Sequence, residues 1–172
     1  MPEIINLALR GAQIFFGILI LGLSGHLVAS QRYGGAPATT NYEVFVGILC
    51  LLVALIGVAA SFISAIGGVI LFALDALTCL FLFAGGVAFA ARIPLHCGCN
   101  QPHSQCTHLT NNNIVNGGVT TVDGHHVVDP NVNRVDRCRQ AQADTAFIWF
   151  AWAAFVATAL FSFLAWRRGG IK

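Results

Sequence analysis

Where charge is missing from this sequence decides what the chain can fold into. Residues 11–31 and 145–166 hold no Asp, Glu, Lys or Arg, and residues 44–91 hold only Asp75. A charge-free apolar run of about 18 residues or more crosses the ~30 Å hydrocarbon core of a bilayer as a helix. Charged residues make up 9% of the 172, against about 25% in an ordinary soluble domain. A soluble enzyme, a nucleic-acid binder with a basic face and a disordered regulator are all excluded. The chain reads as an all-α integral membrane protein with no nucleic-acid partner and no cofactor.

Four spans account for the pattern. The first covers residues 4–30, with Arg10 inside its first turns. A cleaved signal peptide ending near Val28-Ala29-Ser30 is the rival reading, but apolar residues already precede Arg10 and the apolar run is long for a leader. Residues 44–91 are too many for one crossing. They divide into spans at 43–62 and 66–91, with a tight turn where Ser61, Ser64, Gly67 and Gly68 cluster. The fourth span, 145–166, stops at Arg167-Arg168, where Trp166 is an interfacial anchor. The domain is therefore a single four-transmembrane-helix bundle with a loop at 92–143.

An even number of spans puts both termini on one side. Lys and Arg do not choose that side. Arg10, Arg167, Arg168 and Lys172 on the terminal side face five arginines on the loop side. The cysteines choose it instead, since Cys97, Cys99, Cys106 and Cys138 all fall in the loop before the fourth span. Clustered cysteines in a polar loop favour an oxidising compartment. The loop is then extracellular and both termini are cytosolic. The basic tail, with Arg10, is expected to touch anionic lipid of the inner leaflet.

Within the loop, Asn116-Gly117 and Asp123-Gly124 are turn signals flanked by short β-branched runs, so a small β-hairpin is expected. The stretch from Arg134 to Ala143 has no Pro or Gly, and so the fourth span should begin as a helix above the membrane, with Cys138 on its exposed turns. A Cys97–Cys99 bridge is disfavoured by geometry. One of those two should pair with Cys138 and the other with Cys106, in either arrangement. Two other uses of these residues, a metal site and a redox pair, are less favoured. Cys97-x-Cys99 and Cys106-x-His108, with His96, His103, His125 and His126 nearby, match no standard structural-zinc spacing. A membrane thiol oxidoreductase would need a quinone site, of which the sequence has no sign.

Asp75 is the most informative residue. An aspartate at mid-span costs about 2.5–3.5 kcal/mol on insertion scales, so it should face the bundle. One reading makes it a proton or ion relay in a carrier or channel. The other makes it a packing contact, to Gln13 of the first span with Arg10 nearby. A relay needs several polar groups in line, and no other acid is counted within a span, Glu43 at the edge of the second being grouped with the first loop, so packing is preferred. His26 sits at the loop end of the first span as an interfacial polar residue. Small-residue pairs such as Gly57-x-x-x-Ser61 and Ala153-x-x-x-Ala157 allow close helix approach.

Two motifs add a family resemblance. Leu71-Phe72-Ala73-Leu74-Asp75 is similar to the Leu-Phe-x-Leu-Asp segment of the MARVEL-domain tetraspan proteins. Cys138-Arg139-Gln140-Ala141-Gln142-Ala143, followed by Ala146-Phe147, resembles the signature before the fourth span in that family's fungal non-classical export branch. The resemblance implies a non-enzymatic plasma-membrane scaffold, associated with eisosomes and with sphingolipid- and sterol-rich domains, that packs with itself as a homo-oligomer. It carries Asp75 and Cys138 over as motif positions and gives the lipid role to no particular residue. Cys97, Cys99 and Cys106 depart from the family pattern, which needs one cysteine after the third span.

Overall fold

A computed structural model of the chain describes residues 2–62, 68–93, 99 and 112–167. Among the described residues, four helices are long and apolar enough to cross a membrane. They are α1 (Pro2–Ala29), α2 (Ala38–Ala60), α3 (Gly68–Arg92) and the 34-residue α5 (Arg134–Arg167). Between α3 and α5 lie a one-turn helix, α4 (Asn113–Asn116), and strands β1 (Thr120–Val122) and β2 (His125–Val127).

α1 packs against α2 and α5, and α3 packs against α5 and α2. That leaves two diagonal pairs across the bundle axis, α1 with α3 and α2 with α5. Large apolar side chains such as Phe15, Ile18, Leu52, Leu80 and Phe150 cover the outside and stay exposed. A helix that is apolar on both its inner and outer faces is suited to lipid, where the backbone satisfies its own hydrogen bonds. α1 contributes Arg10, Gln13, Ile20 and Ser24 to the buried interior, which makes it a working part of the bundle.

Ile20, Val46, Cys50, Val53, Ala54, Leu82, Ile148, Ala151 and Phe155 form one apolar cluster in the middle of the bundle. Close approach of α1 and α2 depends on Gly47, where an added Cβ would lie 3.0 Å from the Leu21 backbone nitrogen. A second cluster closes the loop end. There α4 inserts Ile114 and Val115 among Leu27, Phe89, Ile93, Cys138 and Ala141.

Two expectations for the loop change. Asn116-Gly117 is no hairpin turn: Asn112 Oδ1 accepts from the Ile114 amide at 2.9 Å and starts α4, and Gly117, at φ 76°, ends it. Burying Ile114 and Val115 outweighs their β propensity. The hairpin forms at Asp123-Gly124 alone, where φ values of 51° and 79° suit a two-residue turn, and Thr120 pairs with Val127. Cys138 is also not on an exposed turn; it is buried under α4.

Cys99 and Cys138 form a disulfide, with Cα atoms 5.8 Å apart, which ties the segment after α3 to the first turns of α5. Of the two pairings left open by the sequence, the Cys138 partner is thus Cys99. The expectation for Cys97 and Cys106 lies outside the described residues. The turn expected between the second and third spans begins at Ser61 and Phe62, and its remaining residues lie outside the description too.

Candidate functional site

The polar groups inside the bundle gather in two layers. Residues that face each other across the layers are 14 apart on three helices: Arg10 and Ser24 on α1, Glu43 and Gly57 on α2, Asp144 and Thr158 on α5. At 1.5 Å per residue the layers lie about 21 Å apart, one toward the terminal end and one toward the loop end.

The terminal-end layer is built on Arg10 and Asp75, both fully buried. Arg10 Nη1 and Nη2 each donate to one Asp75 oxygen at 2.7 Å, a two-pronged ion pair across the α1–α3 diagonal. Arg10 Nη1 also donates to Gln13 Oε1 at 2.9 Å. Gln13 Nε2 donates to Thr158 Oγ1 at 2.8 Å and to the Ala154 carbonyl of α5 at 3.4 Å. Helix α2 takes part by making room: a Cβ on Gly57 would come within 2.3 Å of Arg10 Nε. The small residue expected to let two backbones approach instead lets one guanidinium cross the core.

This arrangement corrects the expectation for Arg10, which was read as an inner-leaflet lipid contact. Its side chain has 0% exposure and its charge is matched inside the protein. The direct partner of Asp75 is Arg10, and Gln13 holds the arginine from the other side.

The loop-end layer was missed. Glu43 of α2 and Asp144 of α5 are both fully buried, on diagonal helices, in this same layer. Ser24 Oγ donates to Asp144 Oδ2. Glu43 Oε1 and Oε2 and Asp144 Oδ1 have no hydrogen-bond partner. Gly85 of α3 gives the Glu43 carboxyl its space, since a Cβ there would lie 2.8 Å from Oε1. Both acids fall at the edges of the spans expected from hydropathy, Glu43 at the first residue of the second and Asp144 just before the fourth. Helical spacing was the usable signal: Thr40 and Glu43 continue the buried stripe Val46, Gly47, Cys50, Val53, Ala54 and Gly57.

Above this layer, Arg137 clamps the loop end. Its Nε donates to the Ile114 carbonyl at 2.9 Å, and Nη2 donates to the Leu27 carbonyl and to Gln31 Oε1, both at 3.1 Å. Nη1 donates to Ser30 Oγ. One side chain thus joins α1, α4 and α5. The backbone adds to this, as Arg32 and Tyr33 donate amides to the Gly117 carbonyl at 2.8 and 3.1 Å. His26 is exposed on the last turns of α1. Arg167 is exposed at the end of α5. Arg168, Lys172 and the Trp166 side chain lie outside the described residues. Cys50 and Cys79 are free thiols within the spans.

The two layers bring polar groups to the helix contacts at either end of the bundle, and between them lies the apolar cluster. The fold is that of a small four-span membrane protein with a disulfide-tied loop before its last helix. The chain belongs to the MARVEL family, whose membrane-associating domain matches residues 3–161. It is 31% identical over 156 residues to Non-classical export protein 2 of Saccharomyces cerevisiae, covering 90% of this chain and 77% of that one. It is 26% identical over 152 residues to the Non-classical export protein 2 homolog of Schizosaccharomyces pombe, covering 87% and 71%. It is also 35% identical over 89 residues to Non-classical export protein 102 of Candida albicans, covering 52% and 40%. No solved structure matches the chain.

Proposed function

We propose that the protein is a non-enzymatic organiser of ordered lipid domains in the plasma membrane, with cytosolic termini, acting in the same setting as its non-classical export relatives. The observation that carries this reading is the apolar cluster between the two polar layers. A carrier or channel needs polar groups along a path through the bilayer. Here Arg10–Asp75 and Glu43–Asp144 are separated by about 21 Å of helix filled with Ile, Val, Leu and Phe. Polar groups arranged in this way fix the helices relative to one another and so present a constant outer surface to lipid.

That outer surface would do the work. Rows of exposed Phe, Ile and Leu give it a fixed relief. The proposed partners are sphingolipid and sterol, further copies of the chain, other eisosome proteins, and anionic inner-leaflet lipid at Arg167, Arg168 and Lys172. The thiol-oxidoreductase alternative is not favoured, because Cys138 is buried beneath α4 and the disulfide has no exposed face on that side.

The test is extraction of the full chain from native membrane in polymer nanodiscs, without detergent, followed by lipid mass analysis of the particles. Sphingolipid and sterol enriched over the bulk membrane support the reading. A composition equal to bulk overturns it.

A further inference from the structure

Among the described residues, the loop-end layer holds no cationic partner for its acids. Two fully buried carboxyl groups, Glu43 and Asp144, lie in this layer with three oxygens unpartnered. Independently of the acids, Thr40 lies one turn nearer the loop end on the same buried face, is 1% exposed, and keeps an unpartnered hydroxyl. Gln140, one turn before Asp144 on α5, presents an unpartnered buried Oε1. Ser24 Oγ completes the set at Asp144. Every one of these atoms is oxygen. The buried arginines of the chain are engaged elsewhere, Arg10 with Asp75 at the far layer and Arg137 with Ile114, Leu27, Ser30 and Gln31.

We propose that Glu43 and Asp144, with Thr40, Ser24 and Gln140, bind one hard divalent cation of the calcium type. Two carboxylates and one divalent ion sum to zero charge, which removes the penalty of burying unpaired charge in a low-dielectric core. Donors that are all oxygen select calcium, magnesium or manganese over softer metals. Calcium suits the set best, because it accepts irregular shells of 6–8 oxygens, whereas magnesium demands near-octahedral geometry and keeps several waters. Thr40 and Gln140 stand between the acids and the loop end, so they offer the ion its first protein oxygens on the way in. Once bound, the ion links α1, α2 and α5 at this level, as Arg10 and Gln13 together link α1, α3 and α5 at the other. Two protons are the competing occupant. They would neutralise the acids and make each an O–H donor, so the binding experiment has to separate the two occupants.

The experiment uses the full chain in lipid nanodiscs and calcium itself as the probe, read by equilibrium dialysis with radioactive calcium and by thermal unfolding. The wild type is expected to bind one saturable calcium per chain, with a dissociation constant of about 10⁻⁴–10⁻³ M, and to unfold at a higher temperature when loaded. Glu43→Gln and Asp144→Asn should each weaken binding at least about tenfold. Gly85→Ala keeps both charges and meets only the mobile end of Glu43, so it should fold while also losing affinity. Absence of saturable binding to the wild type overturns the proposal, as does binding left unchanged by all three variants. A Glu43→Gln/Asp144→Asn double variant that is more stable than a calcium-indifferent wild type would assign the site to protons, and also overturns it.

Discussion

The two polar layers share a geometry and differ in charge. In each, a charged side chain enters the core, and a glycine on a neighbouring helix leaves room for it. Gly57 serves Arg10, and Gly85 serves Glu43. At the terminal end the crossing joins opposite charges and nearly every polar atom is satisfied. At the loop end it brings two acids together and leaves oxygens free. The first layer is complete within the chain, whereas the second depends on something the chain does not supply. A buried ion pair is costly to break by removing one partner, and a buried like-charge pair is not.

That contrast gives the largest expected effect. Asp75→Asn leaves Arg10 buried without a counter-charge and should cost about 3–5 kcal/mol of stability, measured by denaturant titration in mixed micelles. Adding Arg10→Met should recover most of the loss, since an apolar side chain of similar length leaves no charge unpaired. The loop end has a covalent tie as well. Replacing Cys99 and Cys138 together by Ser should cost about 2–4 kcal/mol, seen as faster hydrogen exchange in α4 and the first turns of α5 with the terminal-end layer unchanged. Gly57→Ala should cost about 1–3 kcal/mol by forcing Arg10 off its partner; here the clash involves the guanidinium stem as well as its tip.

The smallest effects sharpen the comparison from the other side. Gln at Arg167, Arg168 and Lys172 should reduce anionic lipid in the extracted particles, with each residue contributing roughly 1 kcal/mol near a charged surface. Asp144→Asn in calcium-free buffer should change stability by less than about 1 kcal/mol, or raise it, because it removes one of two like charges. Similar losses for Asp144→Asn and Asp75→Asn would mean that the layers are wired alike.

The spans were readable because a membrane helix announces itself by length and missing charge, and Asp75 stood out against that background for the same reason. Glu43 and Asp144 did not stand out. Each lies where a hydropathy window meets a polar loop, and α2 and α5 extend outward past that point to Ala38 and Arg134. Their helical phase was the better guide, since both continue a buried stripe. The loop misled for a different reason. Asn116-Gly117 fits a hairpin turn and a helix end equally well, and burial of Ile114 and Val115 decided for the helix. Arg10 misled because a cation near a span end is ordinarily drawn to the lipid headgroups. The partner that turns it inward lies 65 residues away on α3.

The central claim is that these charges hold the bundle together and conduct nothing. Proton flux into liposomes containing the purified chain, driven by an imposed pH gradient and read with a pH-sensitive dye, tests it most directly. The expected result is flux equal to that of empty liposomes, for the wild type and for Asp75→Asn alike. Flux above that level in the wild type, lost in Asp75→Asn, would contradict it.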